Sequence, residues 1–205
     1  MYVPKKFEAP SIEAVEQYIR ENGFATLTGY HKHIPIATHI PLMIKDLSNG
    51  DKTLVGHISA ANPQTACFDG EQEMMAVFME NHTYISSSWY DHINVPTWNY
   101  IAVHVYGKVR KIVGDELRSH LHDLTHKYEG DSPSAFKVES MPEDMLNREI
   151  KGIVGLEMDV TKVEASYKLS QNRDDKNYKE IIKKLEERGD ELSVRIAAEM
   201  SKLRS

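Results

Sequence analysis

Hydrophobic and polar residues alternate with a period of two along most of the chain before Tyr167, which is the pattern of half-buried β-strands. The apolar runs follow one another through short polar turns, so they favour an antiparallel sheet or barrel over alternating β-α units. The clearest strand has an apolar side made of Ile101, Val103, Val105 and Val109. The predicted strands are residues 24–28, 34–44, 53–59, 74–79, 84–88, 98–111 and 151–163.

A period near 3.6 residues predicts helices elsewhere. Residues 11–21 carry apolar positions on one side, and Ser11 can cap the first turn. Two more helices are expected near 114–128 and 142–149. After Tyr167 the chain becomes charged, and two narrow apolar stripes predict a helical tail broken at Gly189, with Asp190 capping the second helix. These stripes are Tyr178, Ile181, Ile182, Leu185 and then Leu192, Ile196, Met200, Leu203.

Composition narrows the class of protein. The chain has 205 residues and a formal net charge of −6, which disfavours nucleic acid and anionic membranes as partners of the bulk surface. Cys67 is the single cysteine, so no intrachain disulfide can form, and we expect this thiol to be a small core residue. No apolar run has signal-peptide or membrane-spanning length, so a cytoplasmic protein is the expectation.

The segment G-H-I-S-A-A-N-P-Q, residues 56–64, is a candidate anion site. His57 and Ser59 fall on one face of a strand end, and Asn62 and Pro63 are typical of the start of a short helix. A helix N-terminus offers unpaired amides to a phosphate. The alternative is a strand-to-helix turn that is capped only for its own stability.

The segment I-P-I-A-T-H-I-P-L, residues 34–42, contains two prolines, which predicts an edge, bent or bulged strand. Thr38 and His39 could face a ligand at such a bend, although a structural bulge explains the pattern equally well.

The aromatic segment Y-I-S-S-S-W-Y-D-H-I-N-V-P-T-W-N-Y, residues 84–100, combines hydroxyls and large rings, as a planar phosphorylated ligand would require. Its candidate ligand residues are Ser86, Ser87 and Trp89, and a packed aromatic hairpin is the alternative. In the strand that follows, Trp98, Tyr100, His104 and Tyr106 form an outer face that suits a subunit interface or a ligand wall.

The segment Y-K-L-S-Q-N-R, residues 167–173, supplies cations and neutral donors that suit a phosphate or the edge of a heteroaromatic ring. The candidates are Lys168, Gln171, Asn172 and Arg173, and a solvated linker is the alternative. The pair His122 and His126 has workable metal-ligand spacing but lacks a third ligand nearby, so we expect no metal site.

Taken together, these motifs resemble the PaiB family of FMN-binding negative transcriptional regulators. The matching words are M-Y-V-P-K, P-I-A-T-H-I-P-L, G-H-I-S-A-A-N-P-Q, Y-I-S-S-S-W-Y, N-V-P-T-W-N-Y, K-G-I-V-G and Y-K-L-S-Q-N-R, in order across residues 1–173.

This resemblance implies a β-rich α+β fold, an antiparallel split β-barrel of the FMN-binding type, with flanking helices and a C-terminal helical tail. It places the barrel in residues 1–166 and the tail, packed on the barrel or on a partner subunit, in residues 167–205. It also implies a homodimer with FMN at the interface. The phosphate would lie near His57, Ser59 and Asn62, with Thr38 and His39 beside it. Ser86, Ser87 and Trp89 would flank the ribityl chain or ring, and Lys168, Gln171, Asn172 and Arg173 would close the site.

Three functions follow from the resemblance. The first is a transcriptional regulator that senses flavin or redox state, although nothing in the sequence resembles a basic DNA-recognition helix and direct DNA binding is doubtful. The second is an FMN-dependent oxidoreductase acting on a small molecule. The third and weaker one is a haem-binding split barrel.

Overall fold

The computed structural model describes residues 1–204, which form one antiparallel sheet and five α-helices. The strands are β1 Phe24–His31, β2 Ile34–Pro41, β3 Met43–Asp46, β4 Lys52–Ser59, β5 Asp69–Phe78, β6 His82–Ile85, β7 Thr97–Ile112 and β8 Ile153–Lys168. The helices are α1 Ile12–Glu21, α2 Gly114–Glu129, α3 Glu143–Lys151, α4 Asp175–Arg188 and α5 Glu191–Leu203.

The strand order explains why the sheet is a split barrel. Hydrogen-bonded neighbours follow the order β2-β1-β5-β7-β8-β4-β3, with β6 added to β7. The strands β2 and β3 occupy opposite ends of this order, yet only Leu42 separates them in sequence. Because neighbouring strands are about 4.8 Å apart, a single residue cannot cross a flat sheet of this width, so the sheet curls until its edges approach. The predicted antiparallel split β-barrel is confirmed.

The predicted strand at residues 34–44 is wrong in one respect, since it is two strands. The Leu42 amide extends the β1–β2 register by one residue, donating to the Gly23 carbonyl at 2.8 Å, and its side chain is fully buried. From Met43, which pairs with Val55, the chain pairs with β4 instead of β1. Pro41 stands opposite Phe24, at a position where the strand's amide side faces away from β1, so its missing amide does not interrupt this pairing. Of the predicted alternatives for this segment (an edge, bent or bulged strand), the edge position agrees with the place of β2 at one end of the strand order.

The chain forms two compact units. Unit 1 contains residues 1–22, 78–104 and those from 163 onward, and unit 2 contains residues 23–77 and 105–162. The long strands β7 and β8 each contribute residues to both units. The boundary between residues 166 and 167 remains a prediction about domain organisation.

In unit 1 the tail helices bury the apolar stripes that the sequence predicts. Ile181, Leu185, Ile196 and Met200 are all fully buried. Gly189 ends α4 in the left-handed conformation at φ 75°, which glycine adopts without strain. The Asp190 side chain then accepts from the Ser193 amide and caps α5.

Helix α1 begins as predicted, because the Ser11 side chain accepts a hydrogen bond from the Ala14 amide. Its Tyr18 is buried, and the hydroxyl accepts from the Glu80 and Asn81 amides and donates to the Ile101 carbonyl. The tyrosine therefore ties α1 to the start of the long strand β7.

The predicted apolar side of β7 is confirmed, because Ile101, Val103, Val105 and Val109 are at most 1% exposed. Within unit 2, β4 pairs with β8 from Thr53 opposite Asp159 to Ser59 opposite Ile153, which fixes the register of the strand that leads into the 56–64 segment. Over residues 1–204, no helix combines the length and apolar character needed to cross a bilayer.

Candidate functional site

In unit 2, the polar turn after β4 brings two of the predicted site residues together. Residues 63–67 form a short 3₁₀-helix capped by Asn62, whose Oδ1 accepts from the Gln64 amide at 2.9 Å. The Nδ2 of Asn62 donates to the Thr38 Oγ1 at 2.9 Å, so β2 and the turn are joined by side chains. Ser59 lies at the end of β4, and its Oγ accepts from the Ala61 amide at 3.3 Å.

These contacts change the interpretation of the turn. The 3₁₀-helix has five residues, and two amides near its start are already bound by the Ser59 and Asn62 side chains. The dipole of so short a helix is small, and its capping accounts for much of the motif. What the turn can still offer a ligand is a group of neutral polar side chains: Thr38, Ser59 and Asn62. His39 lies beside them in sequence and is exposed on the edge strand.

His57 faces a second histidine inside unit 2. Its Nδ1 lies 3.1 Å from the Nε2 of His120, and the two rings meet edge to face with centroids 5.3 Å apart. Burial lowers the pKa of His57. Burial, with His57 and Lys45 nearby, lowers the pKa of His120 to about 4, and Asp123 opposes this shift. Both rings are therefore neutral at pH 7, and one shared hydrogen bond fixes their tautomers.

In unit 1, the aromatic segment departs from the predicted strand at 84–88. Strand β6 ends at Ile85, and Ser87–Trp89 form a 3₁₀-turn. The cause is the Ser86 side chain, which caps the turn by accepting from the Ser88 amide at 3.2 Å. The Trp89 ring lies against the Arg188 guanidinium at 4.6 Å, a cation–π contact. Ser86, Ser87 and Trp89 are thus held on one turn, all partly exposed.

The Y-K-L-S-Q-N-R segment lines a pocket in unit 1, which we call the cationic cleft. It has a volume of about 220 Å³. The basic side chains on its wall are Lys6, Lys168 and Arg173, and no acidic residue lines it. Neutral polar side chains complete the wall: Thr97, Asn99, Ser170 and Asn172.

Two of the three cations are held in place by other side chains. The Lys168 Nζ donates to the Thr97 Oγ1 at 2.6 Å and lies 5.8 Å from the Tyr100 ring centroid. Arg173 stacks on Tyr90 at 4.9 Å. Burial lowers the pKa of Lys168, and the positive charges of Arg173 and Lys6 lower it further. The cleft is therefore a site of concentrated positive charge.

Gln171 and Ser170 shape the loop that carries these groups. The Gln171 Oε1 accepts from the Leu169 amide at 2.7 Å, and its Nε2 donates to the Tyr167 carbonyl, so both ends of its amide bind backbone. Ser170 has a φ of 62°, unusual for a residue with a side chain. Its Oγ donates to the Asn99 Oδ1 at 3.0 Å inside the protein. Arg204 donates to the carbonyls of Gln171 and Arg173 and closes the loop.

The structure thus places the predicted site residues in two groups. Unit 2 holds Thr38, His39, His57, Ser59 and Asn62, and unit 1 holds Ser86, Ser87, Trp89, Lys168, Gln171, Asn172 and Arg173.

Four residues that matter here were not predicted: Lys6, Thr97 and Asn99 on the cleft wall, and His120 beside His57. Thr97 and Asn99 lie in the N-V-P-T-W-N-Y word, which does not single them out, whereas His120 carries a signal of its own. Its spacing from the apolar positions Leu117, Leu121 and Leu124 puts it on the buried side of α2, whereas His122 and His126 are exposed. Nothing in the sequence connects Lys6 with residues about 160 positions later.

The exposed side chains of His122 and His126 each lie beside a different carboxylate, so they do not converge on one point where a metal ion could bind. The His122 Nε2 lies 3.4 Å from a Glu139 oxygen, and the His126 Nε2 lies 2.9 Å from an Asp131 oxygen. Over residues 1–204, no group of three or more His, Cys, Asp or Glu side chains is arranged to hold a metal ion. Cys67 is buried, and burial raises the pKa of its thiol.

Solved structures share the fold. An FAD- and haem-binding protein from Mycobacterium smegmatis superposes with a TM-score of 0.62 over 83% of this chain and 78% of its own, at 15% identity. A flavocytochrome from Azotobacter vinelandii superposes with a TM-score of 0.60 over 87% of this chain and 78% of its own, at 12% identity. Identities this low establish the fold alone.

Sequence comparison is more specific. The "Protease synthase and sporulation protein PAI 2" of Bacillus subtilis is 38% identical over 186 residues, 91% of this chain and 89% of that protein. An uncharacterised protein of Saccharomyces cerevisiae is 30% identical over 167 residues, 70% of this chain and 99% of its own. The family model described as "Putative FMN-binding domain" matches residues 1–162. Given a domain match over most of the chain and a relative aligned along nearly its whole length, the chain belongs to the PaiB family of FMN-binding-domain proteins.

Proposed function

We propose that this protein binds FMN and acts as a PaiB-like negative transcriptional regulator, with flavin or its redox state as the sensed signal. The observation that carries the proposal is the match of the FMN-binding family to residues 1–162, a range that contains both the Thr38–Asn62 contact and the Trp89 turn. The regulatory role draws on the family resemblance and on the name of the Bacillus subtilis relative, which refers to protease synthesis and sporulation.

The side chains present suit the cofactor. Thr38, Ser59 and Asn62 supply hydroxyl and amide groups of the kind that bind ribityl hydroxyls or phosphate oxygens. Ser86 and Ser87 supply two more hydroxyls beside the flat ring of Trp89. His57, kept neutral by burial, would add a hydrogen bond rather than a charge. When bound, FMN supplies the electron-transfer chemistry, and these residues bind and orient it.

The protein is also proposed to act as a homodimer. Large apolar side chains are exposed on one stretch of unit 1: Ile93 is fully exposed, and Val95 and Trp98 are 68% and 51% exposed. Together with the Tyr84 ring against Trp98, they form the kind of surface that dimerisation covers. Analytical ultracentrifugation over a range of protein concentrations tests this, and a monomer at every concentration would contradict it.

The test of flavin binding is direct. The purified protein is examined by absorbance spectroscopy, and any released ligand is identified by mass spectrometry. Protein stripped of ligand is then titrated with FMN, with Asn62→Ala and Trp89→Leu as site variants and His33→Asn as an exposed control. We expect flavin bands and weaker FMN binding by both site variants. Absence of binding at excess FMN would refute the proposal, and a Soret band would point to haem instead.

Two further measurements separate the regulator from an oxidoreductase. Anaerobic addition of NADH or NADPH bleaches the flavin rapidly if the protein is a reductase, and slowly or not at all if it is a sensor. A gel-shift assay with a salt titration tests direct DNA contact, which the net charge of −6 does not favour.

A further inference from the structure

The cationic cleft combines like charges that the protein itself does not neutralise. Within residues 1–204, none of Lys6, Lys168 and Arg173 forms an ion pair with a carboxylate, whereas most other cations of the tail do, such as Lys176, Lys184 and Arg204. Holding three cations around 220 Å³ costs free energy through their mutual repulsion. A bound anion would remove that cost.

The cleft is also held in shape before any ligand arrives. Lys168 is held by the Thr97 hydroxyl, Arg173 by the Tyr90 ring, and the loop between them by Gln171 and Arg204. The left-handed backbone of Ser170 is a further constraint on the loop, and non-glycine residues in this region are concentrated at functional sites. Preorganised cations lose little entropy when they bind.

The volume of the cleft and the hydrogen-bond donors on its wall indicate which class of ligand it can bind. A volume of about 220 Å³ is below the roughly 300–1,000 Å³ of pockets that enclose a whole small molecule. It has room for a head group and a short stem. One guanidinium, two ammonium groups and the Asn172 amide provide donors from several directions, which suits a tetrahedral dianion.

We propose that the cationic cleft is a binding site for a phosphate monoester, carried by the residues Lys6, Lys168 and Arg173. Half of its lining residues, including Lys168 and Arg173, lie beyond residue 162, where the FMN-binding family match ends, and the proposal does not require the protein to bind flavin. The phosphate could belong to FMN itself or to a separate phosphorylated ligand, and the experiment distinguishes these sources.

The first arm uses glycerol 3-phosphate as the probe, with glycerol as the uncharged control, measured by isothermal titration calorimetry at physiological salt. We expect the ester to bind and glycerol not to bind. Lys168→Gln and Arg173→Gln should each weaken ester binding at least tenfold. Lys179→Gln, which removes an exposed charge from α4 in the same unit, should leave it unchanged. Arg173→Lys, which keeps the charge, should retain most of the affinity and so separate loss of charge from loss of structure.

The second arm compares FMN with riboflavin, which lacks the phosphate. If the cleft receives the phosphate of FMN, Arg173→Gln weakens FMN binding and leaves riboflavin binding unchanged. If the cleft instead receives a separate phosphorylated ligand, Arg173→Gln abolishes binding of the ester and leaves FMN binding unchanged.

Failure of the wild-type protein to bind the ester or FMN through these residues overturns the proposal, as does a Lys179→Gln effect equal to that of Lys168→Gln. A protein that binds the ester but no flavin would refute the proposed function and leave this site standing.

Discussion

At the scale of single residues, the buried pair of His57 and His120 determines the charge near the 56–64 turn. Each ring faces the other at 3.1 Å, and only one proton can lie between the two nitrogens. His120 has no exposed surface, and its other nitrogen, Nδ1, is buried without a hydrogen-bond partner in residues 1–204. Because protonation of either ring would bury an uncompensated charge, both stay neutral.

This pair predicts a loss of stability in acid. The pKa of His120 is about 4 in the folded protein and about 6.5 in the unfolded chain. As the pH falls, the unfolded chain therefore takes up a proton at this histidine before the folded protein does. The contribution of neutral His120 to folding stability is fully present above pH 6.5 and is lost as the pH falls from 6.5 to 4. The loss is on the order of 3 kcal/mol.

Urea unfolding followed at several pH values measures this slope. His120→Asn should flatten it, while His122→Asn, on the exposed side of the same helix, should not. An identical slope in wild type and His120→Asn would show that another group is responsible.

The side chain of Asn62 performs two tasks, and this predicts an unequal response to two substitutions. Asn62→Ala removes both the cap on the Gln64 amide and the bond to Thr38, at a cost of about 1–2 kcal/mol. Thr38→Val keeps the shape and removes one hydrogen bond, at about 1 kcal/mol. Denaturant midpoints at equal m-values report the difference. Equal costs would mean that the cap contributes nothing.

At the scale of secondary-structure elements, most strands and helices follow from the hydrophobic pattern, and the errors lie where a side chain caps the backbone or a strand changes its pairing partner. The predicted helix at 114–128 is α2 within one residue, because the pattern of apolar positions is long and regular. The strand at 84–88 fails because Ser86 turns the chain, and the strand at 34–44 divides because Met43 changes the pairing partner from β1 to β4. A local cap competes with the ladder without altering the alternation of residues.

Within unit 2, β7 packs so closely on β8 that there is no room for a side chain at Gly107. A Cβ at this position would overlap the Asp159 carbonyl oxygen and lie 2.6 Å from the Met158 side chain. Because both neighbours belong to a central strand, they cannot move away easily, and Gly107→Ala should destabilise the protein by roughly 2–3 kcal/mol.

Gly152→Ala is the control for Gly107→Ala, because its Cβ would lie 3.3 Å from a single carbonyl and its φ is −82°. Thermal unfolding of the two variants compares them. A melting temperature for Gly107→Ala at or above that of Gly152→Ala would contradict the packing argument.

At the scale of the whole molecule, the helical tail is part of unit 1 rather than an appendage. Helices α4 and α5 bury their apolar stripes, and the tail supplies partners to earlier strands: Ser193 binds Thr83, and Met200 contacts Asn99. The family match stops at residue 162, within β8.

This arrangement predicts that residues 1–162 alone do not form the native protein. Removing the tail would expose the buried side chains that face it in unit 1 and leave Thr83 and Asn99 without these partners. We expect an aggregating or molten fragment, without cooperative unfolding in circular dichroism. A soluble fragment that melts as sharply as the full chain would refute this expectation, and a chain ending at Arg204, which keeps the Arg204 contacts with the loop, is the control for truncation itself.

The sequence by itself determined the fold class and the family, because alternation, caps and whole-motif words are local properties that can be read along the chain. It also identified Lys168 and Arg173 as candidate anion ligands from a local cluster of polar residues. Only the tertiary structure brought Lys6 and Thr97 to that cluster and His120 to His57, since contacts between residues far apart in sequence depend on strand order and register. Those contacts set the local charge: they keep the histidine pair neutral and bring three positive charges together at the cationic cleft.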